Sequence, residues 1–243
     1  MTDLPLFPDL FATPHRFAWH PATATAILAD LHIGAFAVSG EVGARMTHAW
    51  RQLVARRPRH VILAGDVMDD ALAGAREIDA CRKLLTMLGR PGPAGRWGDC
   101  QVTVTPGNHD APDLGAILGI RSAAEVPVGR FVISHGHALP PSRPRAWIVG
   151  HQHPAVVLRD QIRAAKMACY AVCAASAQRP LLVILPAFSS APGGPVGTNL
   201  MTRQWILPVP RPAMQKIRVY GLVEPSEGEA QVLDFGPLSG LRQ

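Results

Sequence analysis

The sequence predicts an α/β layered fold whose later part is almost entirely strand. Three observations point there. Up to His153, short apolar strand-like runs alternate with helical stretches, the pattern of a layered α/β domain. After His153 the pattern becomes β-like segments broken by Pro and Gly. Hydrophobic residues make up 48% of the 243 positions and charged residues 17%, which supports a large core and argues against wholesale disorder.

Taken in order, Arg16–His20 is the expected hairpin partner of Thr25–Asp30, a buried strand by its apolar run. Glu41–Arg57 has the length and composition of a helix, and Pro58 stops it because its ring cannot continue the hydrogen-bond ladder. His60–Ala64 is the next strand, and Ala75–Leu88 a helix ended by Gly89. Arg90–Asp99 is a turn-rich loop; Gln101–Thr105 alternates as a strand should and ends at a Pro106-Gly107 turn. Val132–Ser134 and Trp147–Val149 are two more strands, with the Pro-rich stretch 140–144 as the loop between them. Val156–Leu158, Met167–Ala175, Pro180–Leu185, Gln204–Val209, Lys216–Val223 and Ala230–Phe235 read as strands, and Ala187–Leu200 as a loop. Nothing in the composition divides the chain, so one domain over 1–243 is expected. Its motif-bearing core covers about 17–160, and strands of about 161–236 complete a common sandwich.

Composition narrows the function. The longest apolar runs, such as Leu181–Leu185, are too short to span a bilayer, so no membrane partner is expected. Asp3, Pro5 and Pro8 break any signal-peptide pattern at the start. Four cysteines without such a signal point to a reducing compartment, the cytoplasm, with cysteine as a small buried hydrophobe. Cys169 and Cys173 lack a second pair at zinc spacing. The charge of +6, almost all from arginine, is compatible with a polyanion such as nucleic acid, although the arginines are spread along the chain.

Chemistry-bearing residues sit where the strands end. Asp30-Leu31-His32 follows the first, Gly65-Asp66 with Asp69 the second, and Gly107-Asn108-His109-Asp110 the third. His135-Gly136-His137 and Gly150-His151-Gln152-His153 follow the fourth and fifth. Ligand sites of α/β sheets gather at such strand ends. In Asp30-x-His32 and His151-x-His153, residues two apart on an extended segment point the same way, so each pair is expected to reach one centre. Glycines before Asp66, Asn108 and His151 permit tight turns and close backbone approach. Carboxylate, imidazole and amide donors together suit a divalent ion such as manganese, iron or zinc. Asp30, His32, Asp66, Asn108, His135, His151 and His153 make seven candidate ligands, enough for two ions sharing one carboxylate.

This ordered set resembles, motif by motif, the calcineurin-like metallophosphoesterase superfamily. The wider chain, roughly 17 to 235, is similar to its ICC-like phosphoesterase group. That likeness rests on Ala29–Gly34, on Gly150–Pro154 followed by Val156–Asp160, on Leu185–Phe188 and on Gly193-Gly194. The group includes phosphoesterases found beside a DNA ligase and a helicase in bacterial DNA-damage-response operons; it often carries His where this chain has Asp69. The resemblance implies a sandwich of two mixed β-sheets flanked by helices and a dinuclear site. Asp30, His32, Asp66 and His153 would hold one ion, and Asp66, Asn108, His135 and His151 the other. Manganese is the expected metal, with iron, zinc or magnesium as alternatives. A metal-activated hydroxide would attack phosphorus in line, with His109 as general acid and Asp110 orienting it. His137 and Arg143 are weaker candidates for substrate contact.

The implied activity is hydrolysis of phosphodiester bonds, with a nuclease acting on DNA or RNA in repair as the leading reading and a DNA ligase or helicase as partner. A small-molecule phosphodiesterase or phosphomonoesterase, acting on a nucleotide or cyclic nucleotide, is the alternative. A non-catalytic scaffold of the same fold is disfavoured because all seven ligands and His109 are present. Position 70 is Asp, where phosphoprotein phosphatases of the superfamily carry an arginine that clamps a dianionic monoester, so a diester is the expected substrate.

Overall fold

The structure is a computed structural model that describes residues 2–34, 40–159, 164–189, 198–202, 204–223 and 229–241. Its first sheet holds β1 (Leu4–Phe7), β2 (Leu10–Ala12), β3 (Ala18–His20), β4 (Thr25–Leu28), β5 (His60–Leu63), β6 (Arg96–Trp97), β7 (Cys100–Val104) and β8 (Arg121–Ser122). The order is β1-β2-β3-β4-β5-β7-β6, with β8 also on β7. β1 to β4 run antiparallel, while β4, β5 and β7 are parallel. Helices α1 (Gly40–Ala55) and α2 (Ala75–Thr86) make the two parallel crossovers, and a short α3 (Leu114–Leu118) follows β7.

The second sheet contains β9 (Val126–Val128), β10 (Phe131–Ile133), β11 (Ala146–Val149), β12 (Pro154–Arg159), β13 (Ala164–Cys173), β14 (Leu181–Ile184), β15 (Thr198–Asn199), β16 (Ile217–Val223) and β17 (Gln231–Pro237). Its path is β15-β12-β13-β14-β11-β10-β9, and the β16–β17 hairpin pairs with the long β13. β10, β11 and β14 are parallel and the rest mainly antiparallel, so both sheets are mixed.

Strand alternation builds three apolar layers. Ala26 and Leu28 of β4 and Val61 and Leu63 of β5 face α1 and α2, meeting Met46, Trp50, Leu53 and Leu85. The alternate residues Ile27 and Ile62 face the second sheet and join Ile133, Ile148 and Val183. The outer face of the second sheet buries Trp147, Val149, Cys169, Ala171, Cys173, Leu182 and Ile184. That places both cysteines in apolar packing, and all four cysteines are buried and free. Tyr170 ties the sheets together: its hydroxyl donates to the carbonyls of Thr13 (2.8 Å) and Phe17 (3.0 Å).

The sequence misplaced some elements. Gln204–Val209 is not a strand. Trp205, Leu207 and Val209 do alternate inward onto the outer core of the second sheet, which gives the segment its strand-like pattern. Pro208 deprives it of a ladder donor and Pro210 follows at its end, and among the described residues it pairs with no strand. The loop at Arg90–Asp99 contains β6, and β1, β2, β8, β9 and α3 left no signal strong enough to read. In the expected loop Ala187–Leu200, Ala187 bridges to Ala29 and Thr198–Asn199 forms β15. Gly193-Gly194 and Asp160 lie outside the described residues.

Candidate metal centre

Five loops at the C-terminal ends of β4, β5, β7, β10 and β11 converge at one end of the sandwich. The first three come from one sheet and the last two from the other. Within each sheet, main-chain bonds tie neighbouring loops together: Asp30 N–H donates to Gly65 C=O (3.0 Å) and His32 N–H to Asp66 C=O (2.9 Å) in the first, and Gly150 N–H to His135 C=O (2.9 Å) in the second.

Seven donor side chains meet in two groups. Ligand atoms of Asp30, His32, Asp66 and His153 lie within 4.8 Å of one another, as do those of Asp66, His135 and His151. Asn108 joins the second group, its Oδ1 3.2 Å from His135 Nε2. Asp66 is common to both. Its Oδ2 is 3.2 Å from His135 Nε2 and 4.0 Å from His32 Nε2, while Oδ1 accepts the His109 backbone N–H at 3.0 Å. Asp30 is fully buried; both of its oxygens accept the His151 N–H at 3.1 Å, and Oδ1 lies 3.3 Å from His153 Nε2.

The backbone reaches this arrangement differently from the extended pairs the spacing suggests. Asp30, His32, Asp66, His151 and His153 have φ between 44° and 61°, the left-handed region that non-glycine residues seldom occupy. Such strain clusters at functional sites. Asp30 and His32 do share a group, but His151 and His153 are divided between the two. Left-handed residues with one residue between them turn the chain, so the period-2 rule does not apply.

Two glycines make room for the carboxylates. A Cβ on Gly150 would stand 2.6 Å from Asp30 Oδ2, and one on Gly107 would overlap Asp66 Oδ1. Only a residue without a side chain allows so close an approach.

The donor set suits divalent cations. His32 Nε2 faces His153 Nε2 at 3.3 Å, and His135 Nε2 faces His151 Nδ1 at 3.1 Å, with carboxylates around both pairs. Lone pairs converge where protons are too few to satisfy them, which is what a cation requires. The His135 tautomer is set by Nδ1–H donating to the Ala64 carbonyl at 3.0 Å, which directs the Nε2 lone pair into the group. Burial and the neighbouring His153 hold the His32 imidazole below its ordinary value; burial and His135 lower His151 to about 4. Burial lowers the His135 imidazole too, but the hydrogen bond to Asp66 and the charges of Asp30 and Asp66 outweigh it, for a net rise. Burial raises the Asp66 carboxyl, but its contacts with His135, the His109 N–H and His32 prevail and hold it below the usual carboxylate range.

Asp110 accepts its hydrogen bonds from backbone N–H groups, and the His109 ring makes its own to a backbone carbonyl. Asp110 Oδ1 accepts the Val67 and Met68 N–H groups (2.8 and 3.0 Å) and its Oδ2 accepts Gly107 N–H (2.9 Å). It ties the β5 and β7 loops together, since a buried carboxylate takes whatever N–H groups surround it. His109 is exposed; its Nδ1 sits 2.9 Å from the Asp69 backbone carbonyl, and its ring lies 5.5 Å from that of His32. The Asp69 carboxylate lies 3.3 Å from His32 Nδ1. His137 is exposed, its ring 5.3 Å from that of His135. Arg143 is exposed on the turn closed by its N–H to Pro140 C=O. Gln152, a fully buried amide between the two divided histidines, had no signal in the sequence beyond its place in the motif.

Residues 24–138 match the family model described as calcineurin-like phosphoesterase. Among solved structures, the Pseudomonas putida nuclease MPE aligns with a TM-score of 0.65 at 20% identity, covering 90% of this chain and 96% of its own; at that identity the likeness is one of fold. Zn²⁺-complexed wild-type Vps29 from Entamoeba histolytica aligns with a TM-score of 0.36 at 14% identity, over 87% of this chain and 99% of its own. No curated protein matches the chain.

Proposed function

We propose that the chain is a metal-dependent phosphoesterase that hydrolyses phosphodiesters in nucleic acid, a reading supported by the calcineurin-like phosphoesterase match over 24–138 and by the two mixed sheets. The observation that carries this reading is Asp66, shared by two groups of donors. Asp30, His32, Asp66 and His153 would hold one divalent ion, and Asp66, Asn108, His135 and His151 the other, with manganese as the proposed metal. Such ions supply Lewis-acid activation of water and charge neutralisation at the phosphoryl oxygens.

The chain's own groups do the rest. Asp69 C=O fixes His109 Nδ1 as a donor, so Nε2 is the atom from which a proton reaches the leaving oxygen. Asp70, exposed beside the site and capping Leu72 N–H at 2.8 Å, adds negative charge that disfavours a dianionic monoester. A nucleic-acid substrate is supported by the net charge of +6 and by the fold shared with a nuclease. A repair role beside a ligase or helicase rests on the sequence resemblance, and a cytoplasmic location is supported by four free cysteines. The test is turnover of bis-p-nitrophenyl phosphate, p-nitrophenyl phosphate and nicked or single-stranded DNA with Mn²⁺, Mg²⁺ or EDTA. Diester and DNA cleavage should require metal and exceed monoester turnover. Equal or faster monoester hydrolysis would favour a small phosphomonoester substrate.

A further inference from the structure

We propose that Gln152 is a positioning residue that sets one imidazole of each donor group at once. It stands between His151, in the second group, and His153, in the first. Its side chain is fully buried and points into the protein: Oε1 accepts the Ile206 N–H at 2.9 Å, and Nε2 donates to the Gln204 carbonyl at 3.4 Å. Its own N–H closes a tight turn onto Gly150 C=O at 2.7 Å. Both flanking histidines have left-handed backbone, φ 61° and 44°, a conformation that needs outside restraint to persist.

The 204–209 segment supplies that restraint. Leu207 and Val209 are buried in the outer core of the second sheet, Trp205 packs against them, and Trp205 Nε1–H closes the segment on Val209 C=O at 2.7 Å. Leu207 also lies against Gly136, its Cδ2 3.3 Å from where a Cβ would stand. One fixed strut therefore backs the His135 loop by packing and the His151–His153 loop through the Gln152 amide. This explains why a segment with strand-like alternation pairs with no strand. The inference rests on the metal reading above.

The experiment is Co²⁺ titration followed by the ligand-field bands, with amide exchange of the metal-free protein as a second readout. The wild type should take two ions. His153→Ala should lose one binding step and His151→Ala the other. Gln152→Leu should weaken both steps by about 10–100-fold, alter the bands of both, and speed exchange over 204–207, at temperatures where the protein stays folded. Ile206→Pro removes the N–H that Gln152 accepts without touching the loop, so it should reproduce the double weakening; it decides the matter if Gln152→Leu does not fold. A Gln152→Leu protein with a lower melting temperature but both Co²⁺ steps unchanged would reduce Gln152 to a packing residue. Weakening of one step alone would also overturn the proposal. A wild type that takes no Co²⁺ would overturn the metal reading itself, and this inference with it.

Discussion

His109 and Asp110 are neighbours in sequence with separate work to do. On the turn after β7 their side chains diverge, His109 to the Asp69 carbonyl and Asp110 inward to three backbone N–H groups. Because a main-chain carbonyl holds Nδ1, no side-chain substitution at 69 removes that bond. If His109 protonates the leaving oxygen, His109→Ala should keep both ions. Its rate should fall about 10²–10⁴-fold with a nucleoside hydroxyl as leaving group, and much less with p-nitrophenolate, which needs no proton. Equal losses with the two leaving groups, or loss of metal, would rule that role out. Asp110→Asn should behave differently. An amide has one acceptor oxygen and brings an NH₂ against N–H donors, so the variant should lose about 1–3 kcal/mol of stability, read from denaturant midpoints. Its metal affinity should fall as the β5 and β7 loops part. A merely slower Asp110→Asn enzyme of unchanged stability would favour Asp110 as an orienter of His109.

Strands and loops divide the labour at the next scale. Strands β4, β5, β10 and β11 are largely apolar on both faces and β7 alternates through Gln101 and Thr103, while the groups of the metal centre begin only past the strands' C-terminal ends. Close approach there leaves no slack: Gly150→Ala places a methyl 2.6 Å from both Asp30 Oδ2 and Ala29 Cβ. Overpacking of this kind should cost about 1–3 kcal/mol, measured by urea unfolding of the metal-free protein. The opposite end of the same strands carries a titrating group. Burial and the Arg121 charge lower the His60 imidazole from 6.5 to about 4, and its Nε2 lies 2.9 Å from Thr103 Oγ1 on β7. Between those values the unfolded chain binds a proton that the folded one refuses. Stability should therefore be fully present above about 6.5 and fall as pH drops toward 4. His60→Gln should flatten that part of the profile in metal-free protein, and an unchanged slope would assign the acid sensitivity elsewhere.

Across the whole molecule, each donor group straddles the two sheets: His153 crosses to meet Asp30, His32 and Asp66, and His135 and His151 cross to meet Asp66 and Asn108. Metal binding should therefore clamp the sandwich, and saturation at a hundredfold over Kd should add about 2.7 kcal/mol per ion. The melting temperature should rise with Mn²⁺ and fall with EDTA, and Asp66→Asn should abolish most of that difference because it weakens both groups together. The sequence by itself determined the α/β alternation and the order of the strands whose ends carry polar motifs, and it offered seven candidate donors with His109, because hydrophobic period and local motif are properties of neighbours in the chain. It could not reveal β1, β2 or α3, whose three to five residues are too few for a period to register. Spacing alone sent His151 and His153 to one centre and the family resemblance divided them; the tertiary structure supplies the physical reason, left-handed backbone at both in place of the extended geometry. Only it gave Asp110 its three N–H partners, and only it set a buried Gln152 on residues more than fifty positions away. Such contacts arise where the two sheets close on each other, and no local pattern encodes which groups meet there.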